Sequence, residues 1–151
     1  MTLPANVHGT AIVIGTRGFL FIGPSGTGKS AVALHCINEA RARGLFAALV
    51  SDDQVFVSEA GGRLIARSPE SIAGLAEIRG AGIVAVETIE ATVLTHAVRP
   101  IGPPFAERLP PERETVAILP SLPLPLTRLP LLPGVSAFST LVAIHPEILK
   151  S

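Results

Sequence analysis

Gly23-Pro24-Ser25-Gly26-Thr27-Gly28-Lys29-Ser30 fits the phosphate-binding pattern G-x-x-x-x-G-K-[ST] at each fixed position. A loop of this kind curls backbone N–H groups around phosphate oxygens, and its glycines allow this because no Cβ blocks the approach. Lys29 brings a mobile positive charge to the β- and γ-phosphates. Ser30 brings a hydroxyl for Mg²⁺, and the helix that follows points its positive end at the same place. The composition of the chain predicts roughly 0.002 chance matches to the pattern, so glycine content alone does not explain it. The flanks agree. Phe19-Leu20-Phe21-Ile22 is a short apolar run that predicts a buried strand, and Ala31 to Ile37 continues as a helix of good formers. Strand, glycine-rich loop and helix in this order define an α/β chain.

Upstream, Val7 to Ile14 predicts a strand enriched in β-branched residues, and Gly15-Thr16-Arg17-Gly18 a turn. The loop is therefore fed by an antiparallel hairpin, which returns His8 toward the end of the sheet where phosphates would sit. Downstream, the helix is expected to run to about Arg43 and stop at Gly44. Leu45 to Val50 is a continuous apolar run, as in a strand buried on both faces, and it ends in Ser51-Asp52-Asp53. Two carboxylates at the carboxyl end of a buried strand sit where α/β folds bind ligands. One suits Mg²⁺ and the other a proton from an attacking hydroxyl.

Gln54 to Ala66 predicts a hairpin with its turn at Glu59-Ala60-Gly61-Gly62, and Pro69-Glu70-Ser71-Ile72 a short helical segment. Leu75 to Ile83 predicts a polar loop entering a strand, and the spacing of Glu77 and Arg79 would place both on one strand face. Ile83 to Ile89 is a strand or a strand-to-helix junction, and Ala91 to Val98 a further strand, with His96 structural. Ten of the 14 prolines lie between Pro100 and Pro133. That density predicts short edge strands, Val116 to Leu119 and Leu122 to Leu126, joined by proline turns. Arg108, Arg113 and Arg128 are the phosphate-binding candidates there. Val135 to Ile144 is a last apolar segment, helix or strand.

Composition removes several classes. The 151 residues suit one domain, 1–151, with residues 100–134 as a proline-rich part of it. Formal net charge is zero and Trp and Tyr are absent, so neither a basic footprint nor stacking platforms argue for nucleic acid. The single cysteine, Cys36, cannot form an internal disulfide and reads as a small buried apolar residue in a reducing compartment. Val116 to Val135 is apolar but too rich in proline for a membrane span. Met1 to His8 has neither the basic start nor the apolar core of a secretory signal, so a cytoplasmic location is expected.

Five stretches, in order, give the chain a family resemblance. They are His8-Gly9; the hairpin into Gly23–Ser30; Val50-Ser51-Asp52-Asp53; Leu75-Ala76-Glu77-Ile78-Arg79-Gly80-Ala81-Gly82-Ile83; and the tail from Phe105 to Gly134. Together they resemble the catalytic domain of the HPr kinase/phosphorylases, over roughly residues 7 to 140. The resemblance implies a mixed β-sheet with a few helices, of the HPr kinase/PEP carboxykinase-like kind. It implies a serine protein kinase/phosphorylase that uses Mg²⁺ and ATP, with pyrophosphate possible as donor, and HPr as partner. It assigns Asp52 as the base, Lys29 to the β/γ-phosphates, Ser30, Asp53 and Glu77 to the metal, and His8 and Arg79 to the phosphate site. The residues Gly23, Pro24, Ser25, Gly26, Thr27, Gly28, Lys29 and Ser30 would hold the nucleotide. The family's usual amino-terminal domain is not seen, so the chain looks like the short, catalytic-domain-only form. The family is a homo-oligomer, a hexamer built through this domain.

The chain departs from the family at two places. Val135-Ser136 stands where the family has Arg-Asn, and Ala85 stands where it has Asp. The missing Arg-Asn pair keeps open a non-catalytic nucleotide-binding regulatory module, and a small-molecule P-loop kinase is a further reading that would need the proline-rich tail to supply an acceptor pocket and lid.

Overall fold

The computed structural model describes residues 4–150; Met1 to Leu3, which open the stretch without secretory-signal features, and Ser151 lie outside the described residues. The described residues form eleven strands and two α-helices: β1 (Ala5–His8), β2 (Thr10–Ile14), β3 (Arg17–Phe21), α1 (Lys29–Ala42), β4 (Ala47–Ser51), β5 (Gln54–Ala60), β6 (Arg63–Arg67), β7 (Leu75–Ile78), β8 (Gly82–Ala85), β9 (Ala91–Ile101), β10 (Thr115–Leu119), β11 (Leu122–Pro130) and α2 (Ala137–Ile144). Nine strands make one mixed sheet, ordered β1-β5-β6-β9-β3-β2-β4, with β11 beside β9 and β10 beside β11. Strands β7 and β8 form a separate hairpin. Among the described residues no helix is long and apolar enough to cross a membrane.

Strand alternation builds two cores, one on each face of the sheet. Ile12, Ile14, Phe19 and Phe21 pack against Val32, Ala33, Cys36 and Ile37 of α1 and Phe138 and Leu141 of α2. Ala11, Leu20, Val50, Val55, Leu64, Leu94, Ala97 and Leu126 meet on the opposite face, where the curled sheet covers itself. Stretches of the central strands are therefore apolar on both faces, as the runs in Phe19–Ile22 and Leu45–Val50 require. Burial pushes the Cys36 thiol up to about 12, in keeping with its reading as an apolar core residue.

The sequence-based elements are refined in several places. The predicted strand Val7 to Ile14 is two strands broken at Gly9: β1 pairs with β5, and β2 pairs with β3 and β4. Gly18 lies inside β3 rather than in the preceding turn. It is required there because a Cβ would collide with the carbonyl oxygen of Val93 on β9. The β5–β6 turn is the pair Gly61-Gly62, both with positive φ (59° and 77°), as a two-residue hairpin turn demands. Leu75 to Ala85 is a hairpin, not a loop entering a strand, and Arg79 sits in its turn, so it does not share a strand face with Glu77. Strand β11 is not an edge strand throughout. Its second half, Leu126 to Pro130, pairs in parallel with Ala97 to Ile101 of β9, and β10 covers its first half. Val135 to Ile144 resolves as a helix, because Ser136 caps it by accepting from the Ser139 amide at 3.2 Å.

Candidate active site

Strand β3 ends at Phe21, and the Ile22 amide donates to the Val98 carbonyl at 2.9 Å, which fixes where the Gly23–Ser30 loop leaves the sheet. Gly26 and Gly28 take φ of +83° and +86°, conformations that a side chain would strain. Thr27 closes the loop by donating its hydroxyl to the Pro24 carbonyl at 2.8 Å. Lys29 opens α1. Its ammonium donates to the carbonyls of Gly23 (2.8 Å) and Pro24 (3.0 Å), so the charge is held at the loop rather than in solvent.

The two aspartates after β4 have opposite environments. Asp52 is 5% exposed. Its Oδ1 accepts from Ser30 Oγ at 2.6 Å and from Thr10 Oγ1 at 2.9 Å, and its Oδ2 accepts from the Glu77 amide at 2.9 Å. Asp53 turns the corner into β5 at φ 69°, a conformation that aspartate tolerates better than most residues. Its carbonyl is pinned by the Gly9 amide at 3.0 Å. Its side chain is 62% exposed, with Oδ1 3.3 Å from His8 Nδ1. The other nitrogen of His8 lies 3.3 Å from Ser25 Oγ. His8 thus bridges the glycine-rich loop and Asp53, and it does so because the break at Gly9 swings β1 away from β2 onto β5.

A cleft of about 670 Å³ is lined by His8, Ser25, Lys29, Ser30 and Asp53, and by Glu77 and Arg79 from the β7–β8 hairpin. The hairpin is anchored over α1 by Ala76 and Val84 in the helix-side core. Of the predicted site residues, Gly23, Pro24 and Thr27 do not line this cleft, Asp52 is bonded beside it to Ser30 and the Glu77 amide, and His8, Ser25, Gly26, Gly28, Lys29, Ser30, Asp53, Glu77 and Arg79 are in it. Arg108, Arg113 and Arg128 are not. Arg128 is held by Glu114 (2.8 and 2.9 Å) and Glu107 (3.1 Å), and none of the three lines the cleft. That pairing draws the Glu114 carboxyl below its usual value and raises the Arg128 guanidinium. Elsewhere, burial and the nearby His145 lower His96, and a backbone hydrogen bond lowers Glu147.

Two contributions escaped the sequence reading. Thr10, 1% exposed, donates to Asp52; the signal was a hydroxyl opening an otherwise apolar strand. His35 and Asn38 line the cleft from α1. They continue the stripe of Ala31 and Leu34 at i, i+3, i+4 and i+7, the spacing of one helix face.

The fold is a mixed α/β domain, with the glycine-rich loop at a helix start, the paired-acid corner and the β7–β8 hairpin's Glu77 and Arg79 gathered at one cleft. Residues 1–97 match the model of the HPr Serine kinase C-terminal domain, and the chain belongs to that family. An HPr kinase/phosphorylase of Clostridium beijerinckii is 39% identical over 83 residues, 55% of this chain and 26% of that protein. One of Mycoplasmopsis pulmonis is 34% identical over 83 residues, 55% of this chain and 25% of that protein. The chain thus spans only about a quarter of the length of these curated relatives. The solved structure of the Hpr(Ser) kinase/phosphatase from Coxiella burnetii has the same fold: TM-score 0.76 at 24% identity, covering 97% of this chain and 93% of that one. The fold likeness therefore extends through the proline-rich part, beyond the residues that the family model matches.

Proposed function

We propose that this domain is a Mg²⁺-dependent serine kinase/phosphorylase acting on HPr. In the forward direction the serine hydroxyl oxygen attacks the γ-phosphorus of ATP, the bond to the β-phosphate oxygen breaks, and the serine proton passes to a carboxylate. Pyrophosphate is a second possible donor. In reverse, inorganic phosphate takes the phosphoryl group from phosphoserine, giving serine and pyrophosphate. The observation that carries this reading is the contrast between the two aspartates: one buried and bonded to Ser30, the other exposed in the cleft beside His8.

That contrast supports a division of labour different from the one the resemblance implies. Asp52 has three donors and little exposure, so it suits holding the metal with Ser30 and Glu77. Asp53 is free to accept a proton from a bound hydroxyl, and His8 orients it. Hydroxyl and carboxylate oxygens are the hard ligands that Mg²⁺ prefers. A bound Mg²⁺ supplies neutralisation of phosphate charge. Lys29 and Arg79, which both line the cleft, bind phosphoryl oxygens. With little covalent chemistry required, positioning and charge account for the catalysis.

The test is phosphate transfer from Mg-ATP to purified HPr by the wild type, Asp52→Asn and Asp53→Asn, with nucleotide binding measured on each. Asp53→Asn should keep Mg-ATP binding and lose about 10²- to 10⁴-fold in transfer rate. Asp52→Asn should weaken Mg²⁺-dependent nucleotide binding. An active Asp53→Asn beside an inactive Asp52→Asn that still binds Mg-ATP normally returns the base to Asp52. Nucleotide binding without transfer to any HPr favours the regulatory module.

A further inference from the structure

On the helix-bearing face of the sheet, outside the cleft, His96, His145 and Glu147 each offer one ligand atom, and these atoms lie within 4.8 Å of one another. We propose that they form a binding site for a divalent transition metal of the Zn²⁺ type, separate from the nucleotide cleft and tying the segment after α2 to β9.

The hydrogen bonds around the rings favour this over an incidental cluster. Thr95 Oγ1 gives its one proton to the Gly18 carbonyl (3.1 Å), so it accepts from His96 Nδ1 at 2.9 Å. That fixes the His96 tautomer and leaves the Nε2 lone pair for a metal. His145 Nε2 lies 2.7 Å from Thr127 Oγ1, and its Nδ1 faces Glu147 Oε1 at 3.3 Å. A hydroxyl on the remote nitrogen of each imidazole is the outer-shell arrangement that orients metal-binding histidines. With bonds of about 2.0–2.1 Å, a tetrahedral ion spaces its ligand atoms by about 3.3 Å. The His145–Glu147 pair, at 3.3 Å, is already at that edge length, and the remaining separations, all within 4.8 Å, need only close inward.

The backbone is set for the site as well. His145 ends α2 with its amide on the Leu141 carbonyl (2.8 Å), and its own carbonyl accepts from the Ile148 amide (3.1 Å). The His96 ring stacks on Phe19 with centroids 5.5 Å apart and meets the His145 ring at 4.8 Å. Two imidazoles and one carboxylate, with a fourth position for water, are a ligand set zinc accepts and magnesium does not favour. Arg17 opposes a cation here, since its charge acts on both His96 and Glu147. Removing it should therefore tighten binding.

The test is calorimetric titration of the full chain with Zn²⁺ in millimolar Mg²⁺, with thermal melting as a second readout. One Zn²⁺ should bind per chain and raise Tm. Glu147→Gln, at an exposed side chain, and His145→Asn should each weaken binding at least about tenfold, and Thr95→Val should do so by roughly 10–100-fold. Arg17→Gln should tighten it, and Asp53→Asn should leave it unchanged. No Zn²⁺ binding by the wild type overturns the proposal. So does binding that survives both Glu147→Gln and His145→Asn, or that disappears with Asp53→Asn and so belongs to the cleft.

Discussion

Ser30 Oγ donates to Asp52 Oδ1 at 2.6 Å, joining the last residue of the glycine-rich loop to the carboxyl end of β4. The bond couples the loop to a buried carboxylate whose other donors come from β2 and from the β7–β8 hairpin. Three segments thus share one anionic group, and removing any donor leaves that charge less well satisfied.

Thr10→Val tests the hidden member of this group. The change nearly preserves shape but removes a hydroxyl that serves a buried carboxylate. It should cost about 1.5–3 kcal/mol in denaturant-derived stability, the range for a hydrogen bond to a charged group. An unchanged denaturation midpoint would show that Asp52 is satisfied without it.

Asp53→Gly separates stability from chemistry. Asp53 holds a positive φ of 69°, and glycine takes that conformation without the steric cost. The variant should be no less stable than the wild type by thermal melting, while the proposed serine phosphorylation should be lost with the carboxylate if Asp53 is its base. A stability gain with activity retained would remove Asp53 from the reaction.

The Glu114–Arg128 pair gives a pH signature. The hydrogen bonds from Arg128 hold Glu114 below its ordinary value of 4.5 in the folded protein. The unfolded chain therefore binds the proton more readily, and the pair's contribution is present above about 4.5 and fades as pH falls through the lower folded value. Glu114→Gln should flatten this part of the stability profile, measured by denaturation between pH 6 and pH 3. An identical acid slope in the variant would contradict it.

Cys36 should resist thiol reagents. It is buried, and its thiol is pushed up to about 12, so almost no thiolate is present at neutral pH. Labelling by a disulfide reagent at pH 8 should follow the rate of opening of the α1–sheet core, and denaturant should accelerate it. Rapid stoichiometric labelling of the native protein would mean that α1 opens locally.

The sequence alone determined the local pieces. The glycine-rich motif, the apolar runs on either side and the stop at Gly44 are short-range signals, written in conformational freedom and hydrophobic spacing. Asp52 and Asp53 stood out by their place after a buried apolar run, while His8, Glu77 and Arg79 took their expected roles from the family resemblance. Only the tertiary structure decided how they divide. Adjacent residues on a bend face opposite ways, so Asp52 goes under the loop to Ser30 and Thr10 while Asp53 goes into the cleft with His8. No local pattern encodes that choice, because it depends on where β1, β2 and the β7–β8 hairpin arrive from elsewhere in the chain. The same holds for Arg128, whose charge looked available until Glu114 and Glu107 were brought to it. It holds also for His96 and His145, 49 positions apart in the sequence and in ring contact across the fold. Long-range packing sets those distances, and a linear reading has no access to them.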